Sequence, residues 1–153
     1  MTKTKDLWGD LPSAETIRTP YTILKEQASI LTEKTNSLLI GEVKSSPQIE
    51  YPDRREYPGR REVLVDPDSQ QTQFFVSYLR IKIPSLNNYT YSVLQIQYPL
   101  PDLYPVWVTS FAAAEDRECE CKTEAEYENA LGNILSSSDV KRVISGLLAQ
   151  VHA

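Results

Sequence analysis

Between Phe74 and Phe111 the chain carries two alternating apolar segments and a third, joined to them by Tyr98-Pro99-Leu100-Pro101-Asp102-Leu103-Tyr104-Pro105. In the first segment Phe75, Leu79, Ile81 and Ile83 fall on one side while Arg80 and Lys82 fall on the other, the period-two pattern of a strand with one buried face. From Tyr89 to Tyr98 the pattern recurs, with Leu94, Ile96 and Tyr98 set against Gln95 and Gln97, and Pro84-Ser85-Leu86-Asn87-Asn88 supplies the turn between them. Past the prolines, Val106 and Val108 oppose Trp107 and Phe111, which predicts a strand apolar on both faces and set deeper. The expected scaffold is therefore an antiparallel meander of three to four strands.

The flanking segments change to helical periodicity. Thr19-Pro20 is a helix start, a capping hydroxyl followed by a proline where a missing N–H costs nothing. Leu24, Ala28, Leu31, Thr35 and Leu38 then recur on one stripe, and Gly41 is the expected terminator. Glu42 to Ser45 reads either as a short first strand or as the exit from that helix. Ala112 to Cys121 contains a candidate short edge strand. Thr123 opens a capping box with Glu126, ahead of a stripe of Tyr127, Ala130, Leu131, Ile134 and Leu135. Ser136-Ser137-Ser138 caps a final amphipathic helix carrying Val140, Val143, Ile144, Leu147, Leu148 and Val151.

The fold class that follows is α+β, with one N-terminal helix and two C-terminal helices packed on the sheet. Residues 1–18 form an arm in which Trp8 and Leu11 stand among polar residues, and Trp8 is expected to dock on the body because a large aromatic is costly to expose. Residues 19–153 form a single domain with a flexible loop at about 46–62. That loop holds a tandem repeat, Glu50-Tyr51-Pro52-Asp53-Arg54-Arg55 followed by Glu56-Tyr57-Pro58-Gly59-Arg60-Arg61 and then Glu62. Paired arginines suit phosphates and carboxylates, but Glu50, Asp53, Glu56 and Glu62 match Arg54, Arg55, Arg60 and Arg61 one for one, so the loop neutralises itself. Val63-Leu64-Val65 and Asp66-Pro67-Asp68 predict a short strand and a turn.

A chain of 153 residues is long enough to bury a core without disulfides or structural metal. Its net charge of −5 argues against a broad nucleic-acid footprint, which shows as a basic excess. No apolar run reaches the length of a membrane-spanning helix and the N-terminus lacks a signal-peptide core, so a cytoplasmic protein without membrane attachment is expected. The single histidine, His152, is penultimate, which leaves Ser-His and Cys-His nucleophile pairs without an obvious base. With five glycines there is no Gly-rich phosphate loop.

Cys119 and Cys121 are expected to be free thiols of a reducing compartment, too close in sequence for a comfortable disulfide and pointing to opposite faces of a strand. A closed zinc site would need four ligands, and the chain offers no second cysteine or histidine pair.

Two resemblances follow from these motifs. Pro101-Asp102 with Glu120-Cys121-Lys122 resembles the Pro-Asp…(Asp/Glu)-x-Lys signature of restriction-endonuclease-like nucleases. That likeness implies Asp102 and Glu120 as ligands of Mg²⁺ or Mn²⁺, with Lys122 positioning the attacking water. Against it, Asp116, Arg117 and Glu118 stand where that family has an apolar central strand. The order of elements, with Tyr98-Pro99 and Tyr104-Pro105 before Val106-Trp107-Val108, is similar to the RWD and ubiquitin-conjugating-like fold. No His-Pro-Asn element precedes Cys119, so that similarity implies the non-catalytic branch, a protein-interaction module with no cofactor. The expected function is accordingly a non-catalytic protein-interaction or homo-oligomeric module. Its contacts are expected from Trp8, Tyr51, Arg54, Arg55, Tyr57, Arg60 and Arg61, with Tyr104 as a further surplus aromatic. The alternative is the metal-dependent nuclease, the one reading under which nucleic acid is a partner.

Overall fold

In a computed structural model, residues 4–13, 17–49, 73–112 and 117–152 are described. Helix α1 spans Pro20–Lys34 and is followed by five strands: β1 (Ile40–Ile49), β2 (Gln73–Ile83), β3 (Tyr89–Leu100), β4 (Val106–Ser110) and β5 (Arg117–Cys121). Helices α2 (Glu124–Leu135) and α3 (Ser138–Val151) complete the α+β arrangement. The strands form one antiparallel sheet in the order β1-β2-β3-β4-β5, so each pairs with its neighbour in sequence. Five strands replace the expected three to four, because β1 is a full ten-residue strand rather than a short one or a helix exit. The loop expected over about 46–62 is corrected at its start, since β1 pairs with β2 as far as Ile49. The tandem repeat and the strand and turn expected at 63–68 lie outside the described residues. Among the described residues no helix is long and apolar enough to cross a membrane.

Helix α1 begins as its sequence dictates, with the Thr19 hydroxyl accepting from the Thr22 N–H at 3.0 Å and Pro20 in the first turn. It ends at Lys34, seven residues before the expected terminator. The Thr35 hydroxyl lies 2.9 Å from the Leu31 carbonyl and 3.0 Å from the Leu39 carbonyl, and accepts the Leu39 N–H at 3.2 Å. Asn36 and Ser37 turn the chain with φ of 51° and 65°, in the left-handed region that ends helices. Gly41 therefore sits inside β1, where its N–H donates to the Thr32 hydroxyl at 2.9 Å and α1 rests directly on its backbone.

All three helices cover one face of the sheet. Leu79, Ile81 and Ile83 of β2, Leu94, Ile96 and Tyr98 of β3, and Val106 and Val108 of β4 meet Ile23, Leu24 and Ala28 of α1, Tyr127 and Leu131 of α2, and Val140 of α3. Each such aliphatic side chain contributes about 1.5 to 3 kcal/mol by leaving water. Opposite Leu79 and Arg80 the register slips, so Val93 is the extra residue of a bulge on β3; its side chain is buried and its carbonyl accepts the Phe111 N–H at 2.9 Å. The peptide bonds Leu100-Pro101 and Tyr104-Pro105 are cis.

The other face is apolar at one end only. Alternation and register put Phe74, Val76 and Trp107 there; Phe74 and Val76 are buried, and Phe74 meets the Trp107 ring edge-on at 5.8 Å. That fulfils the expectation of a β4 strand apolar on both sides and extends it to the start of β2.

Candidate functional site

Asp102 lies in the exposed turn between β3 and β4. Glu120 is exposed on β5 opposite Trp107, on the face away from the helices. Lys122, also exposed, follows β5, and its backbone N–H donates to Glu126 Oε2 at 2.7 Å. Among the described residues no group of three His, Cys, Asp or Glu side chains is placed to hold a metal ion. Tyr51, Arg54, Arg55, Tyr57, Arg60 and Arg61 lie outside the described residues.

Trp8 is described and does not dock on the body as expected: it is 79% exposed, with Leu7 at 83% and Leu11 at 68%. Beside Trp8 its own N–H donates to the Asp6 carboxylate at 3.0 Å, which holds the backbone locally and leaves the indole outside. Where the arm joins α1, Arg18 forks between Glu26 at 2.7 Å and Glu128 at 3.1 Å, tying the start of α1 to α2. All three side chains are about half exposed, so the fork steers geometry more than it adds stability. Behind it a groove of about 570 Å³ runs between α1 and α2, with Ile23, Leu131 and Leu135 as its apolar lining and Lys34 and Lys141 at its rim.

Tyr104, expected among the interface aromatics, instead packs against the core, and its buried hydroxyl has no hydrogen-bond partner among the described residues. Beside it, the buried Tyr127 hydroxyl donates to the Pro20 carbonyl at 2.8 Å. Burial raises the phenol pKa of Tyr104 and of Tyr127, pushes that of Tyr98 up to about 12, and pushes the Cys121 thiol up to about 12. The sequence does not bring these groups together, because Tyr98 and Tyr127 read as strand and helix core, Tyr104 as a contact aromatic and Cys121 as a thiol of a short edge strand.

The two cysteines are free thiols, as expected, but their faces are corrected. Residues two apart on a strand share a face, and the Sγ atoms lie 4.0 Å apart on the helix-covered side, where Cys119 pairs with Val108 and Cys121 with Val106. Cys121 is buried and Cys119 exposed.

Compared with known proteins, the chain matches no family model, no curated protein and no solved structure at a significant level.

Proposed function

We propose that this protein is a non-catalytic module that works through protein contacts, self-association included. The observation that carries this reading is the N-terminal arm, whose Leu7, Trp8 and Leu11 hold their apolar side chains in water at 68 to 83% exposure while the domain's core is filled without them. Large exposed apolar side chains clustered over five residues gain free energy when a partner covers them, and tryptophan is the side chain most often found at the energetic centre of such contacts. The order of elements, helix, meander, Tyr-Pro crossing and closing helices, supports a likeness to the non-catalytic RWD branch.

Sedimentation of the full chain at micromolar concentration, alongside affinity capture from the native host, tests the reading. The expected result is a self-associated species or a retained protein that is lost in the Trp8→Ala, Leu11→Ala double variant. A strict monomer that retains nothing, or a partner retained equally by the double variant, would overturn the role of the arm. Mg²⁺- or Mn²⁺-dependent nucleic-acid cleavage that disappears in Asp102→Ala would replace this reading with the nuclease alternative built on Asp102, Glu120 and Lys122.

A further inference from the structure

Gly132 lies inside α2 and lines the groove between α1 and α2 with Ile23, Leu131 and Leu135, under the rim cations Lys34 and Lys141. Glycine within a helix is less stable than alanine, and at Gly41 within a strand the same deficit is offset by the close approach of α1. At Gly132 an added Cβ meets no atom of the described residues within 4 Å. The glycine therefore leaves the groove open down to the backbone of α2, beside the buried Ile23 and Leu131 and the half-buried Leu135. At about 570 Å³ the groove is within the ~300 to 1,000 Å³ of a typical binding cleft.

The N-terminal arm carries the chemistry that matches it. Leu7, Trp8 and Leu11 are 68 to 83% exposed, and Asp6 and Asp10 precede Leu7 and Leu11, two carboxylates for the two rim lysines. Arg18 lines the same groove seven residues after Leu11, so the arm extends up to ~23 to 25 Å from it, enough to follow the fifteen residues of α1 over about 22 Å. The chain's own groove is within that reach, yet the single chain holds all three apolar side chains outside. We propose that the arm of one copy docks in the α1–α2 groove of a second copy, and the second copy's arm in the first, so that two arm-to-groove contacts close a dimer. Because each arm is rooted at the groove that receives the other arm, one two-fold axis relates both contacts and the assembly stops at two copies. The inference rests on the interaction reading above and supplies its partner and its docking site.

Sedimentation of the full chain over a range of concentrations tests it, with two variants of the groove. Gly132→Leu puts a good helix former into open space, so the fold is expected to keep or raise its thermal midpoint while dimer dissociation strengthens at least ~10-fold. Lys34→Glu with Lys141→Glu, at two exposed positions, is expected to do the same through charge. The decisive arm is a mixture. The Trp8→Ala, Leu11→Ala chain keeps a receptive groove and the Gly132→Leu chain keeps an intact arm, so neither is expected to dimerise alone while the two together form a mixed dimer. A dimer that both groove variants leave intact, or a mixture that stays monomeric, would overturn the docking site and leave the interaction reading standing. A monomer whose arm resists protease until Gly132→Leu is introduced would overturn the dimer and assign the groove to the chain's own arm. A strict monomer with a protease-sensitive arm that retains no protein would overturn both readings.

Discussion

At Gly41 the chain has no room for a side chain. A Cβ there would overlap the carbonyl oxygen of Ala28 and lie 2.7 Å from its Cα, and both are backbone atoms of a packed helix that cannot swing aside. Gly41→Ala is therefore expected to lower stability by about 1 to 3 kcal/mol through displacement of α1 from β1, read as a fall in the urea midpoint with little change in slope. Two neighbouring tyrosines give opposite expectations from the same substitution. Tyr127→Phe removes a buried hydroxyl that donates to the Pro20 carbonyl across 107 residues, at an expected cost of about 1 kcal/mol. Tyr104→Phe removes a buried hydroxyl that has no partner among the described residues, and is expected to be neutral or stabilising. Thermal unfolding of the two variants side by side checks the contrast; equal losses would show that the Tyr104 hydroxyl is satisfied in solution.

Among the elements, α2 is the one whose start is most firmly specified. The Thr123 hydroxyl accepts the Glu126 N–H at 3.2 Å, and the Glu126 carboxylate accepts the N–H groups of Thr123 at 3.1 Å and Lys122 at 2.7 Å, which joins the end of β5 to the first turn of the helix. Thr123→Ala and Glu126→Ala are each expected to cost about 1 kcal/mol, and the double variant less than their sum because both act on one motif. Denaturant midpoints of the three variants would show additivity if the cap were not cooperative. This cap was legible because its logic is local, three residues apart. The alternation of β2 and β3 was legible for the same reason: each side chain's burial follows from its own strand's period. The end of α1 was not. Its apolar stripe continues through Leu38 and Leu39 into β1, and what stops the helix is the Thr35 hydroxyl turning back on Leu31 and Leu39 together with two left-handed residues that no periodicity announces. Gly41 carries a similar ambiguity, since a glycine that ends a helix and one that admits a helix onto a strand look alike in one dimension. The shared face of the two thiols was legible in principle, because a spacing of two on a period-two element puts both side chains on one side.

For the whole molecule, the buried protonated groups set an alkaline limit. Cys121 moves from 9.0 to about 12 and Tyr98 from 10.0 to about 12, both chiefly through loss of water, and Tyr104 and Tyr127 move in the same direction. Groups raised in the folded state hold protons that the unfolded chain has already released, so unfolding free energy falls as pH rises through that window. Stability from this source is complete below about pH 9 and declines between about 9 and 12, and Cys121→Ala is expected to delay the onset. The unfolding midpoint followed across alkaline pH checks this, and a flat profile in that range would contradict it. The strand order also bears on how the molecule is made. Because each strand bonds to the one before it, every new strand leaving the ribosome meets a partner already synthesised, and the sheet can grow by accretion in birth order. The Tyr127 hydroxyl on the Pro20 carbonyl and the Arg18–Glu128 pair, 107 and 110 residues apart, then act as a latch, holding α1 to a helix that is made only after the whole sheet has left the ribosome.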